Sequence, residues 1–167
     1  MAPTTNEITL LSQPWDHPDG VYLRAKQRVE ILSLGGDDPG TPPTASNVPI
    51  FLIAYISGTP VGCGGLRPLH DSSISASDDA AEIKRMFVDA AYRGDIGNGT
   101  SVARWILQEL EVEARRIGCS VLVLETGDFL VKARRFYEKC GFVRREKFGS
   151  YTDATHSVFY EKRINKA

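Results

Sequence analysis

Hydrophobic positions in this chain follow two periods, one suited to strands and one to helices. Residues 6–12, NEITLLS, predict a first strand. Residues 19–34 carry Val21, Leu23, Val29, Ile31 and Leu32 among polar positions, a loosely helical spacing. FLIAYIS (51–57), a Gly58-Thr59-Pro60 turn and VGCGGLRP predict a hairpin. AEIKRMFV (81–88) is the next strand. The clearest helix covers roughly residues 100–117, where Val102, Ile106, Leu110, Ala114 and Ile117 recur at spacings of four, four, four and three. Gly118 stops it in the usual C-terminal position. CSVLVLE (119–125) is a β-branched run that suits a buried central strand. Residues 129–139 predict a short helix with Phe129, Ala133 and Phe136 on one face, ended by Gly141. FVRREKF and HSVFYEKRI are the last two strand candidates.

The order is thus β-α-β-β-β-α-β-α-β-β. Strand, helix and strand over residues 81–125 imply two parallel neighbours joined by a right-handed crossover. The hairpins imply antiparallel pairs, so the sheet is expected to be mixed. Two polar stretches, 35–47 and 70–80, read as loops, the first dense in Gly and Pro and a candidate for mobility. Gly62, Gly64 and Gly65 weaken the second hairpin strand and mark a bulge or a close approach of another group.

Composition narrows the function more than the fold. At 167 residues, the chain suits one domain, 1–167. A net charge of −1 gives no basic field, so nucleic acid is not an expected partner. The cluster Arg144, Arg145, Lys147 reads as a solvated strand end. No run approaches the ~18 apolar residues of a membrane span, and the first residues do not resemble a secretory signal. The expected compartment is the cytosol, with the nucleus as a second. Cys63, Cys119 and Cys140 have no C-x-x-C spacing, and His17, His70 and His156 are scattered, so no metal site is expected.

The strongest chemical signal is a strand, a Gly-rich turn (93–99) and a helix in succession. A helix start offers free N–H groups and a positive dipole end, and glycines let a phosphate come close. A ligand-free turn explains the glycines equally well. The pattern is neither a Walker motif nor G-x-G-x-x-G.

EIKRMFVDAAYRG, the following helix, VLVLETGD and ARRFYEKCGF together resemble the GNAT superfamily of N-acetyltransferases. The resemblance is to its small members with an AEIKRM-V strand and a closing FG-Y-D segment, here Phe148, Gly149, Tyr151 and Asp153. It covers about residues 50–163. It implies an α/β GNAT fold: a mixed central sheet splayed between its fourth and fifth strands, with helices on both faces. It further implies an enzyme that moves an acetyl group from acetyl-CoA to a primary amine, and the near-neutral charge favours a small-molecule acceptor over a polycationic one.

In that family the fourth strand offers main-chain groups to the pantetheine arm, which implicates Met86, Phe87 and Val88. The family's loop wraps the pyrophosphate, which implicates Arg93, Gly94, Asn98, Gly99, Thr100, Ser101, Val102 and Ala103. Two registers compete there, because the segment from Val88 to Ala114 is about five residues longer than the family pattern. In one, Arg93 to Gly99 is the binding loop. In the other, which keeps the helix stripe in phase, Ser101 and Ala103 take the glycine slots, and Thr100 or Ser101 caps the helix. Asp95, unwelcome near a pyrophosphate, then belongs to an outward bulge. The family's Asn or Gln seven residues before the helix tyrosine is Leu130 here, so that contact is expected to be missing.

Tyr137 is the candidate proton donor to the leaving thiolate, against the plainer reading of a core tyrosine. Glu82 is the candidate base, because strand alternation sets it on one face with Lys84, Met86 and Val88. The plainer reading makes Glu82 an ion-pair partner of Lys84 or an arginine, and Glu125 is the rival base. Tyr151 and Asp153 are candidates for the acceptor site, with His156 and Trp15 nearby. Exposed strand edges allow either a monomer or a homodimer. The alternatives are a non-catalytic acyl-CoA sensor and, more remotely, a nucleotide-phosphate enzyme, which would lack its lysine and acidic metal ligands.

Overall fold

The computed structural model describes residues 8–77, 79–97, 99–152 and 154–165. The described residues form strands β1 (Ile8–Ser12), β2 (Ile50–Ile56), β3 (Thr59–Leu69), β4 (Ala80–Val88), β5 (Val121–Gly127), β6 (Val143–Arg145) and β7 (Ser157–Arg163). The helices are α1 (Pro18–Ser33), α2 (Val102–Arg116) and α3 (Val131–Lys139). The element order is the one the hydrophobic periods predict. A short 3-10 turn, Ala90–Tyr92, is added after β4. β6 is shorter than predicted, because the chain leaves the sheet early and turns Phe148 into contact with Tyr151 and Phe159.

One sheet runs in the order β1-β2-β3-β4-β5-β7-β6. Among the described strands β4–β5 is the parallel pair, and the other neighbours are antiparallel. Among the described residues no helix is long and apolar enough to cross a membrane. Alternation along β2 assigns the two faces. Leu52 and Ala54 join Ile106, Leu110 and Tyr137 in a core under α2 and α3. Phe51, Ile53 and Tyr55 join Leu23 and Phe87 under α1.

α2 starts at Ser101, whose hydroxyl accepts from the Arg104 N–H at 3.2 Å. It stops where Gly118, at φ +86°, takes the chain out of the helix. α1 is less regular in its burial. Leu23 is in the core, but Val21, Val29 and Leu32 are exposed. The inward face of α1 carries polar side chains instead: Arg24 lies over the Trp15 ring at 3.7 Å, and Gln27 reaches β4.

The register between β3 and β4 slips by one residue. Cys63 pairs with Phe87, but Gly65 pairs with Lys84, leaving one extra residue on β4. Arg85 takes up the slip at φ +57°, a conformation that non-glycine residues rarely adopt. The close approach anticipated at the β3 glycines is real: a Cβ at Gly64 would lie 2.6 Å from the Met86 sulfur.

The bulge overturns one expectation. Uninterrupted alternation places Glu82, Lys84, Met86 and Val88 on one face. With an extra residue at Arg85, Met86 and Val88 instead share the α2 face with Ile83, while Glu82 and Lys84 remain on the opposite side.

Candidate active site

β4 and β5 part after a short contact. Their pairing runs through Ala80–Val121, Ala81–Leu122 and Glu82–Val123 and then ends. Beyond it a cleft of about 120 Å³ opens, whose walls include Gln27, Lys84, Met86, Glu125, Leu130 and Tyr137.

The β4 backbone faces this gap. The Asp89 N–H bonds across to Val61 on β3, so strand alternation turns the main chain of Val88 and Met86 away from β3. Their carbonyls accept from side chains: Met86 from Gln27 Nε2 at 3.0 Å, Val88 from Arg93 Nε at 2.7 Å. Phe87 points to the α1 side instead.

Tyr137 enters from α3. Its ring packs edge-on against Phe142 at 5.7 Å, and its side chain is nearly buried. Burial pushes the phenol well above its usual range, and Cys140 and Glu125 push it further. It therefore holds its proton at neutral pH.

Glu125 lies on β5 on the other side. Its Oε1 accepts from Ser157 Oγ at 2.8 Å. Burial raises its affinity for a proton, and the Ser157 bond and nearby Lys84 partly offset this.

Glu82 lies behind these groups, 1% exposed. Its Oε1 accepts from Arg67 Nη2 at 2.7 Å and Nε at 3.1 Å, and its Oε2 accepts from the Tyr151 hydroxyl. Lys84 Nζ donates to the same hydroxyl at 3.0 Å and lies 3.8 Å from Glu82 Oε2. Glu82 thus has the ion-pair partners of the plainer reading, lysine and arginine together. Burial lowers the Lys84 pKa, and Glu82 counteracts that shift. Tyr151 is buried in this network, where Glu82 and desolvation hold its proton firmly.

The 35–47 loop is tied down over the cluster. Asp38 pairs with Arg85, Arg67 donates to the Thr41 carbonyl at 2.8 Å, and Thr41 Oγ1 bonds Ser150 Oγ at 2.8 Å. Pairing and packing brought Gln27, Arg67, Arg85 and Asp38 to this region. The sequence carried no motif for them, only the weak apolar stripe of α1 and a positively charged strand.

The long loop before α2 folds on itself. Ile96 N–H bonds the Thr100 carbonyl at 2.9 Å, and the Asp95 side chain accepts from the Gly97 N–H at 2.7 Å. Gly94, Gly97 and Gly99 all have positive φ, and residues 93–97 are exposed. Arg93 makes a two-point pair with Glu30, at 2.9 and 2.6 Å. This outward hairpin leaves Thr100, Ser101, Val102 and Ala103 at the helix start. Asn98 and Asp153, the remaining candidates, lie outside the described residues.

A strand gap beside a helix N-terminus is the frame in which comparison with known proteins becomes decisive. The profile of the acetyltransferase (GNAT) family matches residues 37–142. This chain belongs to that family. GNAT proteins are transferases that use acetyl-CoA, and no group of three or more metal-binding side chains occurs among the described residues. The chain is 39% identical over 112 residues to an "IAA acetyltransferase" of Azospirillum brasilense, an alignment covering 67% of this chain and 66% of that protein. It thus spans about two thirds of that relative's length. A proposed acyl-CoA N-acyltransferase from Klebsiella pneumoniae superposes with a TM-score of 0.77 at 27% identity, covering 96% of this chain and 99% of that one. A proposed streptothricin acetyltransferase from Bacillus anthracis, solved with acetyl coenzyme A, superposes with a TM-score of 0.54 at 25% identity over 69% of this chain and 62% of that one.

Proposed function

We propose that this GNAT protein transfers an acetyl group from acetyl-CoA to the nitrogen of a small primary amine by direct attack on the thioester. The observation that carries the reading is the β4–β5 gap, with a proton-holding Tyr137 on one side and a half-buried Glu125 on the other.

The residues fit the donor. The Met86 and Val88 main chain, turned into the gap, suits the amides of a pantetheine arm. At the start of α2 the Val102 and Ala103 N–H groups precede the first helical bonds and suit a pyrophosphate, with Gly99, Thr100 and Ser101 leading into them. Arg93 braces this wall through its bond to the Val88 carbonyl. Bound acetyl-CoA supplies the activated acyl group.

The protein supplies the proton handling and the alignment. Glu125 accepts the proton the amine must lose, directly or through a water. Tyr137 donates to the departing sulfur as the new N–C bond replaces the C–S bond. A main-chain N–H of β4 stabilises the charge that develops on the acyl oxygen. Glu82 takes a positioning role: anchored by Arg67, it fixes Tyr151 and Lys84. Tyr151 and Asp153 belong to the acceptor side.

Calorimetric titration with acetyl-CoA and a thiol-release assay on an amine panel test the reading together. The wild-type protein should bind acetyl-CoA and release CoA thiol with at least one amine. Tyr137→Phe should bind acetyl-CoA as tightly and lose about 100-fold in kcat, the lower end of what general acid catalysis provides. Unchanged kcat in Tyr137→Phe would remove the proton-donor role. Binding without turnover of any amine would favour a sensor.

A further inference from the structure

We infer that the acceptor is an α-amino acid, its carboxylate held by Lys84 and Arg85 while its amino nitrogen faces Glu125. The inference rests on the acetyl-transfer reading and specifies its substrate.

Register sets the two ends of the substrate side by side. Glu82 pairs with Val123, so two residues further along, Lys84 and Glu125 stand opposite each other where the strands have separated. Both point away from α2, and each influences the other's ionisation. Paired strands lie about 4.8 Å apart. A somewhat wider gap suits an amine and a carboxylate separated by one carbon.

Arg85 brings a second cation to the same wall. The bulge at φ +57° turns its side chain to the α1 side, where it shares the cleft with Lys84. Asp38 occupies one terminal nitrogen. The Arg85 Nε is buried with no partner, an arrangement that normally costs stability. Gln27 Oε1, from a residue of the same cleft, is likewise buried without a partner.

The other charged groups around the cleft are Asp37 and Asp38 on the loop, His156 before β7, and Arg67 and Glu82 behind Lys84. Asp38 is about one-third exposed and already paired, and Glu82 is fully occupied by Arg67 and Tyr151. Lys84 keeps N–H donors beyond the one it gives Tyr151, so a cation stands across the gap from Glu125. A simple monoamine would meet Glu125 and offer nothing to the Lys84 and Arg85 side of the gap. A carboxylate on the same molecule supplies that second contact.

Matched acceptors that differ only in the carboxylate test this: tryptophan against tryptamine, phenylalanine against phenethylamine and phenylalaninamide, with spermidine as the polycationic rival. Thiol release should give kcat/KM about 10- to 100-fold higher for the acid of the preferred pair, the range of a charge-assisted hydrogen bond. Lys84→Met should raise KM for the acid and bring the acid-to-amine ratio close to one. Lys84→Arg, which keeps the charge, should retain most of the preference, and circular dichroism reports whether each variant is folded. Equal or better turnover of the decarboxylated amines or spermidine overturns the inference while leaving acetyl transfer in place. Failure of every amino acid also overturns it. Acetyl-CoA titration and the wider amine panel on the same sample then separate the two claims: binding with turnover of another amine keeps the transfer reading, whereas no binding, or binding with no turnover at all, sinks it as well.

Discussion

At the scale of single residues, two carboxylates that look alike in sequence have different surroundings. Glu125 has a proton affinity raised by burial. Its base form is the ionised one, so kcat/KM should fall as pH drops through its raised pKa, and Glu125→Gln should remove that acidic limb with most of the rate. The same shift has an opposite sign for stability. A carboxyl whose folded-state pKa exceeds its unfolded value contributes stability at low pH, and this is lost as pH rises through the folded value. Glu125→Gln should therefore raise Tm at pH 7–8, with the gain fading below the ordinary value of 4.5. Thermal melts across pH check this, and a lower Tm at pH 7–8 would contradict it. For Glu82 the expectation is different. Arg67→Met leaves a buried carboxylate without its main partner and should cost about 3–5 kcal/mol in denaturant unfolding, as broken buried ion pairs do. Sequence alone named Glu82, Glu125 and Tyr137 as candidates. It put Glu82 ahead of Glu125, because the surroundings that distinguish them depend on Arg67 and Ser157, which lie 15 and 32 residues away.

At the scale of elements, periodicity was a reliable guide except where the backbone broke its own period. The stripe of α2 and its Ser101 cap were legible, because caps and spacing are local. The inward face of α1 was not, since Gln27 serves the cleft and Arg24 covers the Trp15 and Phe51 rings where apolar side chains would be expected. Nor was the β4 bulge, which depends on the partner strand and on the missing Cβ of Gly64. The loop before α2 offers a direct test of register. Removing residues 94–98 joins Arg93 to Gly99-Thr100-Ser101 and restores the shorter family spacing. Because that hairpin folds outward on its own hydrogen bonds, acetyl-CoA affinity should change by less than about threefold, ~0.65 kcal/mol. A loss beyond tenfold in calorimetry would place the hairpin on the phosphates.

At the scale of the whole molecule, the mixed sheet with helices on both faces followed from element order and handedness. The splay itself came only from resemblance, since no residue pattern announces where two parallel strands cease to pair. The separation of β4 from β5 has a consequence of its own. It gives the sheet a second kind of edge, inside the molecule, with the same liability for adding a foreign strand as any outer edge. Gln27 and Arg93, by occupying the Met86 and Val88 carbonyls, act as guards of that inner edge. Acetyl-CoA would then be a plug as well as a reagent, raising thermal stability with the logarithm of its concentration above Kd. Light scattering on heating should set in several degrees later with saturating acetyl-CoA, and Gln27→Ala should bring it forward in the ligand-free protein. A cell short of acetyl-CoA would then hold a smaller soluble pool of this protein, so that supply of the donor sets the amount of catalyst along with its rate.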